Sequence, residues 1–198
     1  MITIRCVAPG CAKASKDSPF CKAHAKAPPG QRGGWLSAAK RKPYDANAIA
    51  PRLWIGAVPP FDRELSQVDL LVLCAAELQP ERMAFRGRVL RCPIPDGDLN
   101  KDELEMVIMS SVMVAQTVRQ GQRALVTCAQ GINRSSLVAA LALGQLTTMS
   151  SDQIIAHIRK HRSPKALYNQ NFHKIIHDAI GDGRRRASRR PGPPVGTE

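Results

Sequence analysis

Residues 124–136 read Ala-Leu-Val-Thr-Cys-Ala-Gln-Gly-Ile-Asn-Arg-Ser-Ser. An apolar, strand-like run ends at Thr127, Cys128 follows, and Arg134-Ser135 opens an apolar stretch, 137–146, of helical character. A Cys and an Arg six positions apart, joining a strand end to a helix start, can build a cradle for a tetrahedral anion. The backbone N–H groups of Ala129, Gln130, Gly131, Ile132 and Asn133 can turn inward, and the helix N-terminus adds its positive dipole end. Gly131 allows the tight turn. Arg134 offers a planar fork matched to two phosphate oxygens. The same field favours the thiolate of Cys128, which is the attacking form. A bare Cys-x5-Arg arises easily by chance; the strand before it, the glycine within it and the apolar helix behind it give it its meaning.

The stretch resembles the Cys-x5-Arg-Ser/Thr signature of the cysteine-dependent protein tyrosine phosphatases, and residues 45–180 resemble the dual-specificity group of that superfamily. The resemblance implies hydrolysis of phosphate monoesters through a phosphocysteine, with Ser135 helping the thiolate to depart. Phosphoester cleavage also needs a proton donor across the cradle. In the resembled group the acid lies on a loop about thirty residues before the Cys. Here Arg91-Cys-Pro-Ile-Pro-Asp-Gly-Asp-Leu-Asn100, after a short β-like run from Val89 to Cys92, is a loop by its Pro and Gly content. Asp96 and Asp98 stand 32 and 30 residues before Cys128. Asp98 or Asn100 could instead cap the helix beginning near Lys101, so Asp96 is the expected acid and Asp98 the reserve. One departure is Thr127, where the resembled signature has His, a residue that orders the loop and tunes the thiolate.

The elements that must position these groups follow from periodicity. Residues 49–56 resemble the group's opening strand, and 69–74 read as a buried strand. Residues 101–120 carry apolar side chains at helical spacing, closed by Gly121. Further helices are expected from Ser151-Asp152 to His161 and over 168–180, with Asn169-Gln-Asn-Phe172 resembling the Pro-Asn-x-x-Phe opening of the group's last helix. Alternating strands and helices make the fold class α/β, a central mixed sheet flanked by helices. About 136 residues suffice for one buried core, too few for the classical tyrosine-specific domains. A low-molecular-weight phosphatase would carry its Cys near the N-terminus and its Asp downstream, the reverse of this order. An inositol-lipid phosphatase would carry Lys in the cradle, where this chain has Ala129, Gln130 and Ile132.

The N-terminal segment is a different object. Cys6-x4-Cys11-x9-Cys21-x2-His24 supplies three thiolates and one imidazole, a donor set suited to structural, tetrahedral Zn²⁺. So short a segment has too few apolar residues to fold without such a staple. The expected organisation is a Cys3His zinc-binding element over 1–30, a linker over 31–44, the phosphatase-like domain over 45–180 and a disordered basic tail over 181–198. Zinc is expected to be structural, with no cofactor needed for catalysis.

Net charge is +13, distributed as +8 over 1–44, +2 over 45–180 and +3 over 181–198. The enzyme-like part is nearly neutral, and the basic ends could hold nucleic acid electrostatically. Only eight aromatic residues occur, so no stacking platform for bases is evident. No apolar run reaches membrane-spanning length, no signal peptide is evident, and a catalytic thiolate needs reducing surroundings, so a cytoplasmic location without membrane association is expected. The expected substrate is a protein phosphorylated on Tyr, Ser or Thr. The alternatives are an RNA 5′-phosphatase of the same superfamily, suggested by Asn133 before the Arg, and a pseudophosphatase acting as a binding module, suggested by Thr127.

Overall fold

A computed structural model describes residues 4–5, 14–15, 44–59, 61–62 and 65–188, of which 4–5, 14–15 and 182–188 are described by their backbone alone. Two short strands, β1 (Ile4–Arg5) and β2 (Ala14–Ser15), pair antiparallel. Cys6 and Cys11 fall in sequence between them. With Cys21 and His24 they lie outside the described residues, as do most of the 31–44 linker and residues 189–198.

The main body is a five-stranded sheet. Its strands are β3 (Ala46–Ala50), β4 (Leu53–Gly56), β5 (Leu70–Ala75), β6 (Arg88–Ile94) and β7 (Ala124–Thr127), in the spatial order β3-β4-β7-β5-β6. β3 runs antiparallel to β4; the other pairings are parallel. The sheet is therefore mixed, as its sequence suggests. The single opening strand expected over 49–56 is instead a hairpin, turned at Pro51-Arg52 with Arg52 at φ +63°. A non-glycine residue seldom adopts that conformation, so the turn has no glycine to announce it.

β5 and β7 are buried along their whole lengths, as befits inner parallel strands covered on both faces. Leu53, Ile55, Leu70, Val72, Cys74, Ala124 and Val126 face the main core. The alternate residues Trp54, Leu71, Leu73 and Leu125 face a smaller cluster with Leu65, Val68 and Phe85. That alternation is the period of two that a strand imposes.

The helices are α1 (Lys101–Arg119), α2 (Arg134–Leu146), α3 (Ser151–His161) and α4 (Gln170–Ser188). Their apolar residues join the main core, so these four helices cover one face of the sheet. α4 runs on beyond residue 180, the boundary expected from sequence. Asn100 caps α1 in a reciprocal box with Glu103 (2.8 and 2.9 Å). Ser150 and Gln153 do the same for α3. α2 is buried from Arg134 to Leu143, in keeping with a sequence that is apolar on every side after its first turn.

β4 and β7 end level at Gly56 and Thr127, and β5, whose Leu73 also pairs with Thr127, runs on to Ala75. Cys128 thus leaves the sheet at the carboxyl ends of three parallel strands, the place where open α/β sheets bind ligands.

Candidate active site

The loop from Cys128 to Asn133 is held from three sides. Gly131 has φ +67°, and a Cβ there would lie 2.4 Å from the backbone of Gly56, so both the turn and the close approach require glycine. Arg162, from the end of α3, donates to the carbonyls of Gly131 and Gln130 (both 2.8 Å). Its fork also grips Asp45 and Asn47 at the start of β3. With those carbonyls tied outward, the neighbouring N–H groups are free to face the cradle. Asn133, the N-cap of α2, makes no side-chain cap hydrogen bond, in contrast to Asn100 and Ser150. The first-turn donors of α2 are left without a side-chain acceptor from their cap.

Cys128 is buried, with its Sγ 3.3 Å from Ser135 Oγ. Burial alone would push this thiol up. The Ser135 hydroxyl and the backbone N–H groups of Ser135, Ile132 and Gly131 outweigh it, and the net direction is down. The sulfur is thus surrounded by donors that favour its charge, as a nucleophile requires. Cys74 and Cys92 are the other free thiols among the described residues, and both are fully buried. Burial, with the neighbouring Cys92 thiol, pushes Cys74 well up.

Arg134 is buried and gives both terminal nitrogens to Glu77 (2.5 and 2.7 Å). Its Nε is buried without a hydrogen-bond partner among the described residues. The Arg134 hydrogen bond holds the Glu77 carboxyl down to about 2 and raises the guanidinium in turn. Glu77 was not legible in the sequence: it lies 57 residues before its partner, in the connection after β5, with no motif around it.

Asp96 sits on the expected loop between β6 and α1. It accepts from the Asn133 amide on Oδ1 and from the Tyr168 hydroxyl on Oδ2 (3.0 Å). Asp98 accepts from Asn171 Nδ2, and Asn169 Nδ2 donates to the Gly97 carbonyl (3.3 Å). Asn100 rather than Asp98 caps α1. Asn133 thus ties Asp96 to the cradle loop, Ser135 meets Cys128 at its other end, and Arg134 stands between Asn133 and Ser135 in the chain, while Asp98 is turned to the start of α4. The Thr127 hydroxyl donates to the Val72 carbonyl of β5 (2.9 Å), so it is used within the sheet and not on the cradle. Among the described residues no cluster of three or more His, Cys, Asp or Glu could hold a metal ion. The proposed zinc ligands lie outside those residues.

No protein-family profile matches this sequence, and no curated relative does. Solved structures do match. A mouse putative dual specificity phosphatase complexed with zinc tungstate superposes with a TM-score of 0.64 at 23% identity, covering 77% of this chain and 96% of its own. Human DUSP28 gives 0.61 at 23% identity, with 74% and 99% covered. The human tyrosine phosphatase-like serine/threonine/tyrosine-interacting protein gives 0.58 at 16% identity, with 71% and 99% covered. The chain has the fold shared by these dual-specificity-type proteins.

Proposed function

We propose that this protein is a cysteine-dependent phosphatase of the dual-specificity type, acting on phosphoproteins. The single observation that carries the reading is the convergence on the Cys128 sulfur. A hydroxyl and three backbone N–H groups favour its thiolate beside a buried guanidinium whose Nε has no partner. In the first step Cys128 Sγ attacks phosphorus, the bond to the leaving oxygen breaks, and Asp96 gives that oxygen its proton. The loop amides and Arg134 hold the three equatorial oxygens, where charge develops. In the second step the Asp96 carboxylate takes a proton from water, whose oxygen displaces sulfur from phosphorus. The Ser135 hydroxyl then stabilises the departing Cys128 thiolate. No metal is needed in either step.

Phosphoprotein is preferred over RNA because residues 45–180 carry only +2. A polyanionic strand binds through many cationic contacts, and the excess charge lies outside the catalytic part. The tungstate bound by the mouse fold neighbour is a tetrahedral oxyanion with the shape of phosphate. Thr127, where the resembled signature has His, keeps binding without turnover as the opposing outcome.

The test is phosphate release from phosphotyrosine, phosphoserine and phosphothreonine peptides and from triphosphate-ended RNA, by wild type and Cys128→Ser. Release from peptides that vanishes in the variant supports the proposal. Release from RNA alone would make the protein an RNA 5′-phosphatase, and tight peptide binding without release would make it a binding module.

A further inference from the structure

Leu167 is fully buried yet held at φ +56°, a left-handed conformation that residues other than glycine seldom adopt. Its surroundings fix it there. Its N–H donates to the Ile132 carbonyl of the cradle loop (3.0 Å), and its own carbonyl takes Arg159 (3.1 Å) and His173 (2.6 Å). The strained residue delivers the next side chain, Tyr168, to Asp96. Strain over-determined in this way clusters at working sites.

The other partner of Asp96 is equally fixed. Asn133 is buried, and its Oδ1 accepts from the Asn169 N–H (3.4 Å), which leaves its Nδ2 to donate to Asp96 Oδ1. An amide with that orientation can only donate to Oδ1, so a proton on Asp96 belongs on Oδ2, the oxygen Tyr168 faces. The Asp96 contact holds the Tyr168 phenol above its ordinary value, so the phenol remains a donor. A protonated carboxyl oxygen accepts only weakly, whereas a carboxylate oxygen accepts strongly.

Resting on the phosphatase reading above, we propose that Tyr168 is a positioning residue for the general acid, holding Asp96 Oδ2 across the cradle and strengthening its hydrogen bond as the proton leaves. When the ester bond breaks, the Oδ2 proton passes to the leaving oxygen, the phosphoryl group passes to sulfur, and the new negative charge on Asp96 is met by Tyr168 and Asn133 together. Such an interaction gains in the transition state over the ground state, which is the condition for raising the rate.

The test is kcat and KM for para-nitrophenyl phosphate, whose leaving group needs little protonation, and for phenyl phosphate, whose leaving group needs it. Wild type, Tyr168→Phe and Asp96→Ala are compared, with thermal melting as the fold control. Tyr168→Phe is expected to stay within about twofold of wild type on the nitro ester and to lose roughly tenfold in kcat on the phenyl ester with KM held. Asp96→Ala, which also removes the base of the second step, should lose on both esters and lose more on the phenyl ester. An equal loss on both esters, or none on either, would overturn the role of Tyr168 while Asp96→Ala still upholds the phosphatase. Wild type inert on both esters would overturn both readings.

Discussion

At the scale of single residues, the chemistry depends on Cys128 being a thiolate. The hydroxyl of Ser135 is the strongest of the donors that lower it. Alkylation of Cys128 by iodoacetate should therefore rise with pH around a midpoint below that of an ordinary thiol, and Ser135→Ala should move the midpoint upward. An unmoved midpoint would mean that the backbone amides alone set it. Gly131→Ala should cost about 2 kcal/mol or more in urea unfolding, because it adds positive-φ strain to a collision with Gly56. Turnover should fall with it. The ion pair between Glu77 and Arg134 gives a pH dependence of definite sign. The folded Glu77 value of about 2 lies below its ordinary 4.5. Its stabilisation is thus complete above pH 4.5 and lost as pH falls through about 2. The Glu77 side chain is 54% exposed, so solvent screens the pair. Glu77→Gln should cost only about 1 kcal/mol at neutral pH, and the difference from wild type should shrink toward pH 2 in acid melts.

At the scale of elements, the loop residues were legible because Cys128 to Ser135 is one contiguous segment whose chemistry is written locally. Partners that reach the site from elsewhere were not. Glu77 comes from the connection after β5 and Arg162 and Tyr168 from the stretch between α3 and α4, and only the sheet order and the docking of α3 and α4 bring them to the cradle. The β3–β4 hairpin reads in sequence as one strand because Arg52, not glycine, makes its turn. The choice between Asp96 and Asp98 rested in sequence on a competing cap. In the structure that cap is Asn100, and Asp98 is engaged by Asn171 instead. Asn100→Ala should then destabilise the protein by about 1 kcal/mol without changing kcat. Asp98→Ala should retain turnover of phenyl phosphate, where Asp96→Ala loses about a hundredfold. A hundredfold loss in Asp98→Ala with Asp96→Ala unimpaired would reverse the assignment.

At the scale of the whole molecule, the groups proposed for catalysis all belong to residues 45–180, which are nearly neutral, whereas the ends carry most of the charge. The zinc proposal rests on ligand type and spacing at Cys6, Cys11, Cys21 and His24. Protein purified with zinc should retain about one equivalent per chain by elemental analysis, and Cys21→Ser should lose it. EDTA should strip that metal while leaving aryl phosphate turnover intact, since the proposed steps use none. Loss of turnover that zinc restores would tie the N-terminal element to the catalytic part. Among the described residues no helix is long and apolar enough to cross a membrane.

The covalent intermediate is the central claim, and trapping it is the most direct measurement. Wild type and Asp96→Ala would be mixed with para-nitrophenyl phosphate in EDTA, quenched in acid within milliseconds to seconds, digested and mapped by mass spectrometry. The account predicts a phosphoryl group on the peptide that carries Cys128, absent from Cys128→Ser. Steady turnover with phosphate on another residue, or full turnover by Cys128→Ser, would contradict it.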